Sequence, residues 1–207
     1  MPITAADVEN TVRATTATLA DASDDGWDAP AGSMDWTCWE TVEHIADNFF
    51  FYAAQLGPRA AATGRSVPFA WAQHRKGGPG LVLFADRAAG PAGLLRCVEA
   101  CGALLVAMVR TTPPDVRAHH DDGVLDTAGF AAMAVGETLV HMHDVTQGLG
   151  LPWTPEAGLC RRLLDRFFPG APADTGPWAT LLWATGRGDL PGRHRQQDWR
   201  WGVQPSG

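Results

Sequence analysis

The chain is nearly devoid of lysine: Lys76 is the only one, and arginine carries almost all of the positive charge. With 16 basic residues against 23 acidic ones the formal charge is -7. There is no concentrated basic patch of the kind a phosphate backbone demands, which argues against nucleic acid as a partner. Long apolar runs are missing too. The longest, around Leu104–Val109 and Phe130–Val135, fall short of the roughly 20 residues that cross a bilayer, so no membrane span is expected. The N-terminus, Met1-Pro2-Ile3-Thr4, has no basic segment followed by an apolar stretch; no secretory signal is read, and a cytoplasmic location is the default expectation. The four cysteines, Cys38, Cys97, Cys101 and Cys160, form no C-x-x-C pair. Cys97 and Cys101 would share a helix face, but a chelating site needs two more ligands nearby, so buried thiols in a reducing compartment are the plainer reading. Also absent are G-x-S-x-G, the P-loop and G-x-G-x-x-G, and with them support for those chemistries. No repeat or low-complexity segment occurs, and no stretch alternates convincingly with period two, so strands are not expected.

What remains is a chain of 207 residues, 45% hydrophobic and 19% charged, long enough to bury a core without disulfides. Five helical stretches are predicted. The first runs from Thr4, a plausible N-cap, to Ala20, with Val8, Val12 and Leu19 at helical spacing. The second, Thr37 to Leu56, opens on the capping box Thr37-Cys38-Trp39-Glu40 and stops at Gly57-Pro58. A connection of about thirty residues, Gly57 to Gly90, follows; such length inside a compact domain points to a crossover or to a segment that shapes a site. The third helix runs from Pro91 to Arg110, and the fourth from the N-cap Asp126 to Gln147 with Gly148 as its C-cap. A shorter fifth fits Pro155–Phe168, and the Trp-rich tail from Pro169 to Gly207 has room for a helical piece at Trp178–Thr185. The simplest architecture is all-α: a four-helix bundle with a long crossover between the second and third helices, an extra C-terminal helix and the tail packed against it. One domain, 1–207, is expected, with its core at about 4–168.

Chemistry concentrates in Gly136-Glu137-Thr138-Leu139-Val140-His141-Met142-His143-Asp144. On a helix Glu137 and His141 lie one turn apart, roughly 5–6 Å at Cβ, on a stripe shared with Phe130, Met133, Ala134 and Val145. A charge on an apolar stripe needs a partner. A shared cation would satisfy both groups; a simple ion pair, or a watery groove, would do so as well. His44 is the third candidate, but a helical wheel sets it opposite the arc of Cys38, Val42, Ile45, Phe49, Ala53 and Leu56, beside Glu40, Asp47, Asn48, Phe51 and Gln55. That strip reads as a solvated face or as a pocket lining. His143 points away from the Glu137/His141 face, while His74, His119, His120 and His194 read as surface residues.

Three segments resemble the DinB-like metal-binding bundles, and among them the N-terminal domain of mycothiol-dependent maleylpyruvate isomerases. They are Trp36-Thr37-Cys38-Trp39-Glu40-Thr41-Val42-Glu43-His44-Ile45-Ala46, similar to the family's W-x-x-x-D/E-x-x-x-H-L; Gly136-Glu137 through His141 and Asp144, similar to G-E-x-x-x-H-x-x-D; and Leu181-Leu182-Trp183-Ala184-Thr185-Gly186-Arg187, similar to a tail segment of single-domain relatives. The resemblance implies His44, Glu137 and His141 as ligands of one divalent metal, zinc or in some cases nickel, against the wheel reading of His44. It implies a low-molecular-weight thiol such as mycothiol as cosubstrate and an electrophilic small molecule as its target. Asp144 would act behind the ligands, Asp47 and Asn48 as polar pocket groups, and Trp36 and Trp39 as pocket walls or as core packing. The full isomerases carry a second, sterol-carrier-like domain, which this chain is expected to lack. A metal-dependent hydrolase, a non-catalytic metal or ligand-binding bundle, and a homodimer remain open alternatives.

Overall fold

The computed structural model describes residues 1–58 and 62–203. In chain order these form α1 (Ala5–Leu19), α2 (Cys38–Gln55), a single 3-10 turn (Arg87–Ala89), α3 (Gly90–Thr111), β1 (Arg117–His120), β2 (Gly123–Asp126), α4 (Thr127–Leu149), α5 (Ala157–Phe167) and α6 (Pro177–Ala184). The protein is mostly helical, as expected, and the helix starts are set by local hydrogen bonds. At the head of α2 the Thr37 hydroxyl accepts from the Glu40 N–H at 3.1 Å, and the Glu40 carboxylate accepts from the Thr37 N–H at 2.9 Å. Thr4 and Asp7 make the same reciprocal pair at α1, so two orphan donors are satisfied at each start. Asp126 caps α4 by accepting from the Gly129 N–H.

The C-cap of α4 differs from expectation. The helix continues through Gly148 and ends at Gly150, which takes the left-handed conformation (φ 69°). Gly148 is a contact residue instead: a Cβ there would lie 2.5 Å from both Cys38 Sγ and the Pro30 carbonyl oxygen. Glycine lets α4 press against the start of α2 at that point.

Both α1 and α2 pack against α3 and α4, and α5 packs against α6. α4 is the most enclosed: Phe130, Ala131, Ala132, Met133, Ala134 and Val135 are all completely buried. α3 buries Leu94, Val98, Cys101 and Leu105 against its neighbours. An 18-residue window within Arg87–Thr111 has a mean hydropathy of 1.8 and is long and apolar enough to cross a membrane by length and composition alone. Arg96 and Glu99 divide the stretch into short apolar pieces, and the core helix of a globular protein meets the same criterion.

Two expectations fail in the connections. β1 and β2 form an antiparallel hairpin, with Ala118 opposite Leu125 and His120 opposite Gly123. The strands are four residues long, and their inward positions are Ala118 and His120, so the alternation lies in burial and not in hydropathy. His120 is therefore buried against Tyr52 and Phe130 and is not a surface loop residue.

The second concerns the polar strip of α2. Glu40, Glu43, Asp47 and Gln55 are buried, because the long connection lies over them. Asp47 Oδ1 accepts from the Val82 and Leu83 N–H groups at 2.9 and 2.7 Å. Glu43 accepts from the Ala85 N–H at 2.8 Å and meets His74 Nε2 at 2.7 Å. Gln55 accepts from the Val67 N–H at 2.8 Å, and Glu40 pairs with Arg75 at 2.8 Å. An irregular segment has backbone donors that need acceptors, and buried carboxylates need donors; each supplies the other. The strip is neither solvated nor a pocket lining here, and His74 is the half-exposed partner of a buried carboxylate.

The thiols follow from this packing. Burial pushes Cys38 and Cys101 up to about 11 and Cys160 up to about 12, whereas Cys97 is only partly buried. A disulfide reagent at neutral pH should titrate about one thiol per native chain, and all of them after denaturation. Fast reaction of two or more in the native protein would contradict the packing described.

Candidate functional site

α2 and α4 run side by side with Tyr52 against Phe130 at one level and His44 against His141 at another. Between them the wheel position of His44 that looked solvated meets the most enclosed helix of the fold. One donor atom each from His44, Glu137 and His141 lies within 4.8 Å of the other two. His141 Nε2 is 3.1 Å from Glu137 Oε2, and the two imidazoles stand edge to face with ring centres 5.1 Å apart. The indole of Trp36, on the segment leading into α2, covers both: its centre is 5.0 Å from His44 and 5.9 Å from His141, nearly parallel to the latter.

Each of the three groups is braced from outside. Asn48 Nδ2 sits 3.1 Å from His44 Nε2, one turn along α2. Glu137 Oε1 accepts from the indole N–H of Trp201 in the tail. Asp144 Oδ2 lies 3.4 Å from His141 Nδ1 and is itself gripped by Arg187, whose Nη2 donates at 2.7 Å and whose Nε donates to both carboxylate oxygens. The Nδ1 atom of His44 is buried with no hydrogen-bond partner, whereas His141 Nδ1 faces Asp144. Two imidazoles, one with an orphaned buried nitrogen, beside a carboxylate form a donor set that suits a divalent cation.

The electrostatics follow from burial and from these partners. Burial lowers His44 to about 3, so it is neutral at any ordinary pH. Burial alone would raise Glu137, but hydrogen bonding to His141, the charges of both histidines and the Trp201 N–H hold it down to about 2. For His141, burial pulls downward and is outweighed by Asp144 and Glu137, which raise it. Asp144 is lowered by His141 and Arg187 against the effect of its own burial.

Other predicted residues lie elsewhere. Asp47 faces the long connection. Trp39 is in the core, edge-on to Trp27 with Arg87 over its ring. Trp36, by contrast, is a wall of the site. His143 turns toward Gln147 and Trp178. Sequence reasoning missed Trp201 altogether. No spacing ties it to position 137, since the bond joins residues 64 apart. Arg187 was present only as the last residue of the tail segment, with no role attached.

The chain belongs to the mycothiol maleylpyruvate isomerase N-terminal domain family, which matches residues 8–146. No curated protein sequence matches it. Among solved structures it is similar to the mycothiol-dependent maleylpyruvate isomerase, with 14% identity and a TM-score of 0.61, and to a histidine-to-alanine mutant of that enzyme, with 15% and 0.62. In both cases 93% of this chain and 95% of the other are covered. At this identity the likeness concerns the fold. It spans nearly the whole of both chains.

The Asp144–Arg187 pair is enclosed, with side chains 5% and 14% exposed. Removing one member strands a buried charge, so Asp144→Ala should destabilise the protein by about 3 kcal/mol or more. Asp174→Ala, which breaks only the exposed bridge to Arg193, should leave the Tm unchanged. Equal effects in thermal denaturation would show that the inner pair is no better shielded than the outer one.

Proposed function

We propose that the chain holds one divalent cation, zinc or alternatively nickel, through His44, Glu137 and His141, and transfers a low-molecular-weight thiol of the mycothiol type to an electrophilic small molecule. The observation that carries this is the convergence of three donors from α2 and α4 within 4.8 Å, with Nδ1 of His44 buried and unpaired. Membership of a family named for a mycothiol-dependent isomerase supports the choice of cosubstrate. On this reading α1–α4 form a four-helix bundle, the connection after α2 is its crossover, the tail is its outer layer, and the protein works in the cytoplasm.

Three ligands leave zinc an open position, and a divalent ion there would favour the thiolate form of a bound thiol near neutral pH. The residues of the chain prepare that chemistry. His44 offers a neutral nitrogen and Glu137 an ionised oxygen with no proton to remove. Asp144, held by Arg187, takes up the hydrogen on His141 Nδ1 and so orients the ring. Trp36 covers both imidazoles and keeps water from one side of the site.

Metal analysis of purified protein should find about one ion per chain. His44→Ala, Glu137→Ala and His141→Ala should each weaken binding by more than the roughly 10–100-fold that loss of an outer partner costs, while His143→Ala leaves it unchanged. Strong loss in His143→Ala with none in His141→Ala would sink the assignment. Enzymatic thiol consumption with a chlorodinitrobenzene, with release of chloride, is expected. Cleavage of esters without thiol would favour a hydrolase, and metal binding with neither activity a binding protein.

The pH dependence of binding follows from the same groups. His44 and Glu137 have no titrating proton to lose near neutral pH, so the pH dependence comes from His141, whose pKa Asp144 and Glu137 raise against its burial. Affinity should therefore rise by up to about tenfold per pH unit below that pKa and level off above it. A chelator-competition titration showing a slope of two would mean that His44 is protonated as well, contrary to its burial.

A further inference from the structure

We propose that Trp201 is a positioning residue of the metal centre: its indole N–H holds Glu137 in the orientation that meets the two histidines, so that tail docking and metal binding reinforce each other. The inference rests on the metal reading above and adds a residue from the far end of the chain. Glu137 uses one oxygen on His141 and the other on Trp201, which fixes the plane of its carboxylate. An indole N–H can only donate. It therefore pairs with the ionised carboxylate and cannot compete for the metal, as a hydroxyl or an imidazole could.

The placement of the ring is built into three parts of the fold. Its faces and edges pack on Phe167, Phe168 and Trp199 at centre distances of 5.2, 5.4 and 5.6 Å. Gly136, the residue before Glu137, gives it room: a Cβ there would lie 2.9 Å from Trp201 Cη2 and 3.1 Å from Cζ3. Gly202 lets the backbone close on α5, its N–H donating to the Phe167 carbonyl at 3.2 Å, where a Cβ would sit 2.3 Å from the same oxygen. The glycine of the Gly136-Glu137 pair thus serves the indole that serves the glutamate.

Trp201→Phe removes the N–H and keeps an aromatic ring; Trp199→Phe is the control. Cobalt(II) affinity is measured by competition with a chromophoric chelator, and tail docking by tryptic cleavage after the exposed Arg193, Arg195 and Arg200. Trp201→Phe should weaken cobalt binding by about tenfold, and Trp199→Phe by less than about twofold. Cobalt should slow cleavage of the wild-type tail, and do so much less in Trp201→Phe, since linkage is reciprocal. In the unmodified protein carrying isotope-labelled tryptophan, the Trp201 indole proton should be protected from exchange and should shift when zinc is added. Wild-type affinity and protection in Trp201→Phe, or an indole proton that exchanges like that of the exposed Trp71, would overturn the proposal alone. Failure of the wild type to bind cobalt would instead remove the metal reading, and this inference with it.

Discussion

An ionised carboxylate is set in the middle of the most enclosed helix of the protein, and much of the structure can be understood as the response. Glu137 follows Phe130–Gly136, seven positions that are all buried. Removing such a group from water costs several kcal/mol unless charge and hydrogen bonds are returned to it. His141 returns charge from one turn along the helix, and Trp201 returns a hydrogen bond from the tail, with the neutral His44 facing it from the neighbouring helix. The raised pKa of His141 in turn depends on Asp144, and Asp144 is neutralised by Arg187. A single buried charge thereby ties α2, α4 and the tail together.

α2 solves a related problem on its other side. A long connection without regular structure exposes backbone donors, and the helix beneath it presents Glu40, Glu43, Asp47 and Gln55 as acceptors. Four residues that are polar in sequence are thus interior in the fold. The helix is wrapped on several sides: α3 and α4 pack against it, its carboxylates face the connection, and His44 faces α4. Because the connection is held by several fixed hydrogen bonds, α2 is held in rotation about its axis, and that rotation is what aims His44.

This explains what could and could not be read in advance. Helix starts were legible because a capping box is a local event: Thr37 and Glu40 need only three residues of context. The pair Glu137/His141 was legible because one turn of helix fixes its geometry. The rotation of α2 was not, since a wheel treats Glu40 and Asp47 as solvated and has no means of knowing that the backbone at 82 and 83 will cover them; only the family resemblance pointed to His44. The hairpin escaped because a histidine, His120, fills an inward position where an apolar residue would have signalled a strand. Gly148 misled because a glycine demanded by close packing looks the same in sequence as one demanded by a left-handed cap.

The charge of the inner cluster bears on what the site is for. With His141 protonated, the positive charges of His141 and Arg187 balance the negative charges of Glu137 and Asp144, while His44 stays neutral. The metal-free cluster is then neutral, which is why it can be buried at all. Exchanging the His141 proton for a divalent cation leaves one positive charge in excess in a poorly solvated space. A monoanion in the open position restores neutrality, and a thiolate is such an anion, whereas a neutral thiol or water is not. Burial, which looks at first only like a cost to the fold, thus favours a thiol in its reactive form at the place where the proposed chemistry needs it.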